Sequence, residues 1–390
     1  MVIKNPALEA RWHARLDEIS AADWDALRAD DNPFLSHAFL AGLEQHGCLR
    51  RKHGWQPHHL GLYRDQKLVA AAPMYLKGNS HGEFVFDWSW ANAYAQNGLD
   101  YYPKLLCAVP YSPVTGPRLL CGQSADSDSL RHALLAAMIE QTRQMQLSSA
   151  HLNFPHAADA ELLATLASEW LPRFDWQFHW HNRGYRDFGD FLDALSAKKR
   201  KNIRQERSKV EAAGVRCETI EGRDLTPIHW RWLHRFYLAT FDMKGNLPAL
   251  TADFFTHLGS TLADNVVAVI AYRDAQPIAG ALCLRSSSTL YGRYWGCEEE
   301  VPGLHFEACY YQGIDYCIRH KLTLFEPGAQ GEHKLARGFL PSKTHSFHHI
   351  VDSRFRDAIA RSLKHEARGL EEYRTDLLSH SPYATPSCRD

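Results

Sequence analysis

No apolar stretch of this sequence is long enough to cross a bilayer. The longest runs, such as VVAVIAY at 266–272, fall well short of a span, and the opening MVIKNPALEARWH has no apolar signal-peptide core. The expected location is therefore cytoplasmic, without a membrane span. Charge of one sign is lacking too, since 44 basic residues face 45 acidic ones. Bulk charge gives no general attraction to DNA or membrane, so any such affinity must come from local patches. The nine cysteines, Cys48 to Cys388, include no C-x-x-C pair and are odd in number, which suits reduced thiols rather than a disulfide framework or zinc site. His179 and His181 would share one face of a strand, but no third ligand follows at useful spacing. His345, His348 and His349 offer no better set, and no metal is expected.

What the chain has is length and an internal repeat. Its 390 residues, 45% hydrophobic and 23% charged, exceed one ordinary core and suit two globular domains. Residues 62–76, LYRDQKLVAAAPMYL, lie over residues 271–285, AYRDAQPIAGALCLR, with Tyr63, Arg64, Asp65, Ala70 and Ala72 matching Tyr272, Arg273, Asp274, Ala279 and Ala281. Each copy reads as an antiparallel hairpin turning at Arg-Asp. Each is followed by an aromatic segment with strand character, EFVFDWSW at 83–90 and TLYGRYWG at 289–296. Helical stretches precede both hairpins, and a helix and then a strand (AHLNF; LTLF) follow them. The pattern predicts a duplicated α/β domain with a mixed sheet, divided as residues 1–180 and 181–390.

The first half carries an extra stretch, residues 91–120, rich in Tyr, Pro and Gly and read as an irregular insertion that lines a site. Between the halves, AKKRKNIRQERSK reads as a basic helix stopped at Gly214. Residues 352–378 place Phe355, Ile359, Leu363, Leu370, Tyr373 and Leu377 at helical spacing, as in a docked terminal helix.

The strings NPFLSHAFLAGLE, FDWSWANAY, FHWHNRGYRDFGDFLDALSAKKRKNIRQER, LYGRYWG, LHFEACYYQ and FEPGAQGEHKLARGF resemble the FemAB-like family of peptidoglycan biosynthesis or recognition proteins, over residues 31–380 or so. The resemblance implies two tandem domains of the Gcn5-related N-acetyltransferase (GNAT-like) fold. It also implies transfer of an acyl or aminoacyl group to an amine, with a cell-wall precursor as acceptor and aminoacyl-tRNA or acyl-CoA as donor. No permanently bound cofactor is implied. Two departures stand out. The junction where CoA users of this fold carry a glycine-rich diphosphate loop reads CEEEVPGLHFEA, with Gly303 alone available. The basic helix is also much shorter than the coiled-coil arm of some Fem proteins.

The candidate site follows. In this fold the late strands of a domain part at the active site. LTLF running into EPGAQGEHK would bring Glu326, Gln330, His333 and Lys334 there, with Gly328 and Gly331 admitting close backbone approach. Lys334, followed by Gly338 and Phe339, looks like the family's terminal motif and would bind a phosphate or hold an oxyanion. His305 and Glu307, expected to face the same sheet edge as Tyr294 and Trp295, are candidate proton acceptors for an attacking ammonium, although a glutamate at a helix start equally suits the helix dipole. Asp87, an acid among aromatics, is either a hydrogen-bonded anchor or a functional carboxylate. Tyr101, Tyr102 and Lys104 would line the acceptor groove. Arg200, Lys201 and Arg204 would clamp a phosphate-bearing substrate, or else form a solvated helix face.

Overall fold

The computed structural model describes residues 8–384 apart from Ala167, Asn246 and Gln330. It divides into two units, one taking in the chain through Asp175 together with Lys343–Leu370, the other Trp176–Ser342 and the chain from Glu371. The repeat had suggested a single boundary near residue 180. The chain instead returns to the first unit for Lys343–Leu370.

The first unit contains β1 (Glu9–His13), β2 (Trp55–Pro57), β3 (His59–Arg64), β4 (Lys67–Ala72), β5 (Met74–Lys77), β6 (Lys104–Cys107) and β7 (Ser149–Asn153). Strands β1, β3 and β4 form one antiparallel sheet. Strands β2, β5, β6 and β7 follow in that order in another, with β6 and β7 parallel. Helices α1 (Ala21–Ala26) and α2 (His37–Gln45) lie between β1 and β3, α3 (Trp88–Gln96) precedes β6, and α4 (Ser127–Gln144) joins β6 to β7. One sheet face packs Leu105, Cys107, Ala150 and Leu152 on Leu134 and Met138 of α4. Burying each of the leucine and methionine side chains stabilises the fold by about 1.5–3 kcal/mol.

The second unit uses the end of β8 (Leu171–His181), then β9 (Val215–Glu221), β10 (Val266–Arg273), β11 (Gln276–Arg285), β12 (Thr289–Cys297) and β13 (Leu324–Glu326). Their order is β8-β13-β12-β11-β10-β9, and only β12 and β13 run parallel among these pairs. After α5 (Ala157–Thr165) in the first unit come α6 (Phe188–Asp193), α7 (Ala197–Ala212), α8 (Pro227–Lys244) and α9 (Ala252–Thr261) in the second. Beyond β12 follow a short helix α10 (Leu304–Phe306), a π-helical turn Glu307–Tyr311 and α11 (Gln312–Arg319). A last strand, β14 (Leu340–Ile350), pairs its Ser346–Ile350 end with β7, and α12 (Ser353–Ser379) closes the chain.

Both units have the GNAT-like order: outer strand, two helices, hairpin, strand, helix, parallel strand. The duplication extends to a defect. Each hairpin shifts register just before its tyrosine, at Leu62/Tyr63 and at Ala271/Tyr272, and its turn holds an aspartate at positive φ, Asp65 and Asp274. Each tyrosine lies under an arginine of the outer strand, Arg11 at 4.4 Å and Arg216 at 5.3 Å. In the second unit α8 presses so closely on β12 that a Cβ at Gly296 would sit 1.7 Å from the Phe236 carbonyl oxygen. Only glycine serves there.

Residues 83–90 are not a strand. Glu83–Asp87 form an irregular segment with Phe84 at φ 60°, and Trp88 begins α3. The aromatics that suggested a strand fall at helical spacing, so Trp90 and Tyr94 turn inward together. The stretch after it is likewise not wholly irregular, because Lys104–Cys107 is a buried inner strand. The basic helix, its stop at Gly214 in the left-handed region, and the terminal helix form as the pattern predicts. Among the described residues no helix is long and apolar enough to cross a membrane.

Candidate functional site

In the second unit the parallel pair β12 and β13 lasts only from Thr289–Leu324 to Tyr291–Glu326. Past that point β12 continues along β11 alone, with Arg293 as the extra residue of a bulge between the Cys283–Gly292 and Leu282–Tyr294 pairs. The chain leaving β13 turns through Gly328, at φ 102°, into a 3-10 turn, Glu332–Arg337. Lys334 on this turn is 2% exposed. Its Nζ donates to the Gly328 carbonyl at 2.6 Å. Burial pushes its pKa down to about 8, with Arg293 adding to the effect against an opposing influence of Cys309.

Beside Lys334, the His333 ring shares a hydrogen bond of 2.8 Å with the Tyr310 hydroxyl. It lies 6.1 Å from the His305 ring, and Trp295 stands 5.5 Å from His305 on another side. Trp295, His305 and His333 are thus gathered into one aromatic cluster. Tyr294 is not. Successive strand residues point to opposite faces, and Tyr294 packs under α8 against Tyr237 at 5.2 Å. The expectation that Tyr294 and Trp295 would share the edge faced by His305 and Glu307 is corrected accordingly. Glu326, at the end of β13, is buried. Gln330 lies outside the described residues.

Glu307 opens the π-helical turn, and its carboxylate accepts from Arg207 Nε at 3.0 Å, Arg207 Nη2 at 3.1 Å and Gln312 Nε2 at 2.8 Å. Next to it on α7, Glu206 accepts from Arg337 Nη2 at 2.6 Å and from the Tyr311 hydroxyl. Two acid–base clamps therefore fasten α7, one to the π-helical turn that follows α10 and one to the 3-10 turn Glu332–Arg337. A Cβ at Gly303 would meet the Glu206 carbonyl oxygen at 3.1 Å. The backbone of α7 thus fills that side of the helix start, where a CoA diphosphate would need open amide groups. In the first unit α4 begins behind Asp126, whose carboxylate takes Arg64 at 2.7 Å.

The outer stripe of α7 is different in character. Arg200, Lys201, Arg204, Gln205, Ser208 and Lys209 line an open groove of about 840 Å³. Arg200 also pairs with Asp193 at 2.7 Å.

The first unit gathers Asp87, Tyr101, Tyr102 and Lys104 into a second constellation, a buried polar layer on the sheet face opposite its apolar core. Lys104 Nζ donates to Glu83 Oε1 at 2.7 Å and to Asp87. The Tyr101 hydroxyl donates to Asp87 Oδ2 at 2.6 Å, and Ser80 links Asp87 to the Tyr102 hydroxyl. From Tyr101 the bonds run on to His151 at 3.3 Å, to His348 through an Nδ1–Nδ1 contact of 2.6 Å, and to Ser346 at 2.9 Å. Burial alone would raise Asp87, but Lys104 and His151 hold its carboxyl down at about 2. Burial pushes both His151 and His348 well below the usual imidazole range.

Sequence reasoning missed Glu83, His151, Arg207 and Glu206, and weighed His348 only as a metal ligand. A signal for two of them existed, since Ser149, His151 and Asn153 alternate with Ala150 and Leu152, and Ser346 and His348 repeat that spacing. His179 is buried and bonds Gln177 at 3.1 Å, while His181 is exposed. Among the described residues no group of three or more metal-binding side chains occurs.

A family model described as peptidoglycan biosynthesis/recognition, FemAB-like, matches residues 15–385. The chain belongs to the FemAB-like family. A comparison with curated proteins gives no match. Among solved structures, FemX aligns at 11% identity over 90% of this chain and 100% of its own, with a TM-score of 0.52. The C-terminal domain of a putative lysylphosphatidylglycerol synthetase from Agrobacterium fabrum aligns at 11% identity over 88% of this chain and 96% of its own, TM-score 0.52. At such identities these likenesses establish that this FemAB-like chain shares their fold.

Proposed function

We propose that this chain transfers an activated aminoacyl group to an amine of a peptidoglycan precursor, with the reaction centred on Lys334. The observation that carries the reading is the placement of that lysine. Its ammonium is buried where β12 and β13 part and donates to the Gly328 carbonyl, and the next residue back, His333, belongs to the His305 cluster. A cation fixed there is poised to hold the oxyanion of a tetrahedral intermediate, and aminolysis of an ester then needs only alignment of amine and carbonyl and removal of one proton. His305 and His333 are the neighbouring groups able to take it, directly or through water. Glu307 is already engaged by Arg207 and Gln312, which suits an anchor for α7 better than a free base.

The donor is an aminoacyl ester carried on a phosphate-bearing molecule such as tRNA. Two features support this over acyl-CoA: α7 covers the Gly303 helix start, and the basic groove of α7 faces outward with Arg200, Lys201 and Arg204. Membership of a peptidoglycan family supports the acceptor. The test incubates the purified chain with a nucleotide-linked muropeptide and either aminoacyl-tRNA or acetyl-CoA, each labelled in its acyl group. Label should reach the muropeptide amine from the tRNA ester alone. Transfer from acetyl-CoA would replace this donor, and transfer from neither would leave a recognition protein.

A further inference from the structure

The buried polar layer of the first unit lacks a hydrogen-bond donor at two places. Glu83 and Asn153 are 2% and 1% exposed, yet among the described residues Glu83 Oε2 and Asn153 Oδ1 have no hydrogen-bond partner. Their other atoms hold them together: Glu83 Oε1 accepts from Lys104, and Asn153 Nδ2 reaches the Glu83 carbonyl oxygen at 3.5 Å. Both orphaned atoms are acceptors, and a buried acceptor left unsatisfied costs about 1–3 kcal/mol. Folded chains satisfy nearly all such groups.

Of the nearby donors only the buried Trp55 Nε1, 3.4 Å from where a Cβ at Gly82 would stand, lacks an acceptor among the described residues, and the side chains that line the layer are committed. Ser80 and Tyr101 give their hydroxyl protons to Asp87. Arg118 donates through Nε to the Asn153 main-chain oxygen at 2.8 Å and through Nη2 to the Val114 carbonyl at 2.6 Å. Charge is short in the same sense, because Glu83 and Asp87 share the single ammonium of Lys104. The other lysine nearby, Lys77, is turned to the His81 carbonyl at 2.9 Å and the Trp55 ring at 4.0 Å, and burial pushes its pKa to about 7. Burial, reinforced by Asp87, also raises the Glu83 carboxyl. The layer therefore wants both N–H donors and a positive charge.

We propose that Glu83 Oε2 and Asn153 Oδ1 form a binding site for a primary ammonium group of a ligand. An ammonium brings three donors and one charge in a single compact group. A water would bring donors without charge, and a hard metal ion would demand more oxygen ligands than these two side chains offer. Because the site is closed, the irregular segment Ser80–Asp87 must lift to admit the ligand. The inference stands apart from the transfer reading, whose chemistry lies in the second unit.

The test is calorimetry on the full chain with Nα-acetyl-L-lysine, which keeps its side-chain ammonium, against Nα,Nε-diacetyl-L-lysine, which does not. Binding is expected for the first alone, weakened at least about tenfold by Glu83→Gln and in the same direction by Asn153→Leu, and unchanged by Lys334→Met. Equal binding of the two probes, or none of either, overturns the site whatever the outcome of the transfer assay. Should the variants unfold, a crystal of the unaltered protein grown with the first probe decides. Its nitrogen within hydrogen-bond reach of both oxygens supports the site, and a water there overturns it.

Discussion

Both Nε and Nη2 of Arg207 engage the buried carboxylate of Glu307, across 100 residues of chain, and so fix the basic helix to the π-helical turn. Removing the guanidinium leaves a desolvated carboxylate with Gln312 as its remaining bonded partner. Arg207→Ala should therefore destabilise the chain by about 1–3 kcal/mol, less than a fully buried pair because Arg207 remains partly exposed. Urea unfolding measures it as a lowered midpoint at constant slope. An unchanged midpoint would mean that the Glu206–Arg337 pair and the buried Ile203 and Val210 hold α7 without it.

Lys334 makes a prediction that needs no substrate. Its folded pKa of about 8 lies below the ordinary 10.5, so between those values the unfolded chain binds the proton and the folded chain does not. Its contribution to stability should accordingly rise with pH across that window, by about 3 kcal/mol at most. Lys334→Met should remove this contribution, leaving that of Lys77, whose pKa of about 7 spans the same window, and leave neutral-pH stability equal or higher. Denaturation of the unaltered and substituted chains at pH 7.5 and 9.5 would show it, and an equal pH dependence in the two would overturn it. In the transfer assay the same variant should lose about a hundredfold or more in rate, and the unaltered chain should slow as pH rises through 8.

The His151–His348 pair predicts the opposite pH limb. Burial, together with Lys104 and Arg173, holds both imidazoles neutral, against the acid-favouring influence of Asp87 on His151. The charge of His349, on the other face of the strand, also disfavours protonation of His151, and Trp90 and Tyr101 pack against the pair. Folded pKa values below the usual 6.5 mean that the unfolded chain takes up protons first. Stability is then whole above pH 6.5 and falls as the solution is acidified below it. His348→Leu should flatten that fall between pH 6.5 and 5, read by urea midpoints at the two values. A fall of unchanged steepness would move the acid sensitivity elsewhere.

How far these features were legible depends on how local they are. The hairpins at Tyr63 and Tyr272 could be read because turn chemistry and alternation are properties of neighbouring residues, and the helix stop at Gly214 for the same reason. Asp87 was misread because Phe84, Phe86, Trp88 and Trp90 favour strands individually, while the helix that forms is decided by what Trp90 and Tyr94 pack against. Glu83, which binds Lys104, and Arg207, which binds Glu307, could not be read at all. They stand 21 and 100 residues away in sequence, and nothing in a window around either residue points to them. Lys334 was found through its glycines, but its burial was not.

The groove of α7 yields the last prediction. Arg200, Lys201 and Arg204 occur at helical spacing on one stripe, so a phosphate-bearing donor lying along it would displace counterions wherever a cation meets a phosphate. Replacing all three by glutamine should weaken tRNA binding most at low salt and reduce the slope of log affinity against log salt by about one for each phosphate left without its cation. Folding should be unaffected, because these cations lie on an outward stripe and only Arg200 has an ion-pair partner among the described residues, Asp193, itself exposed. Filter binding across a salt series separates the two accounts of the helix. A slope that does not change on substitution would return the stripe to a solvated face, and the donor would then have to be held by the second unit's strand gap around Lys334 without help from α7.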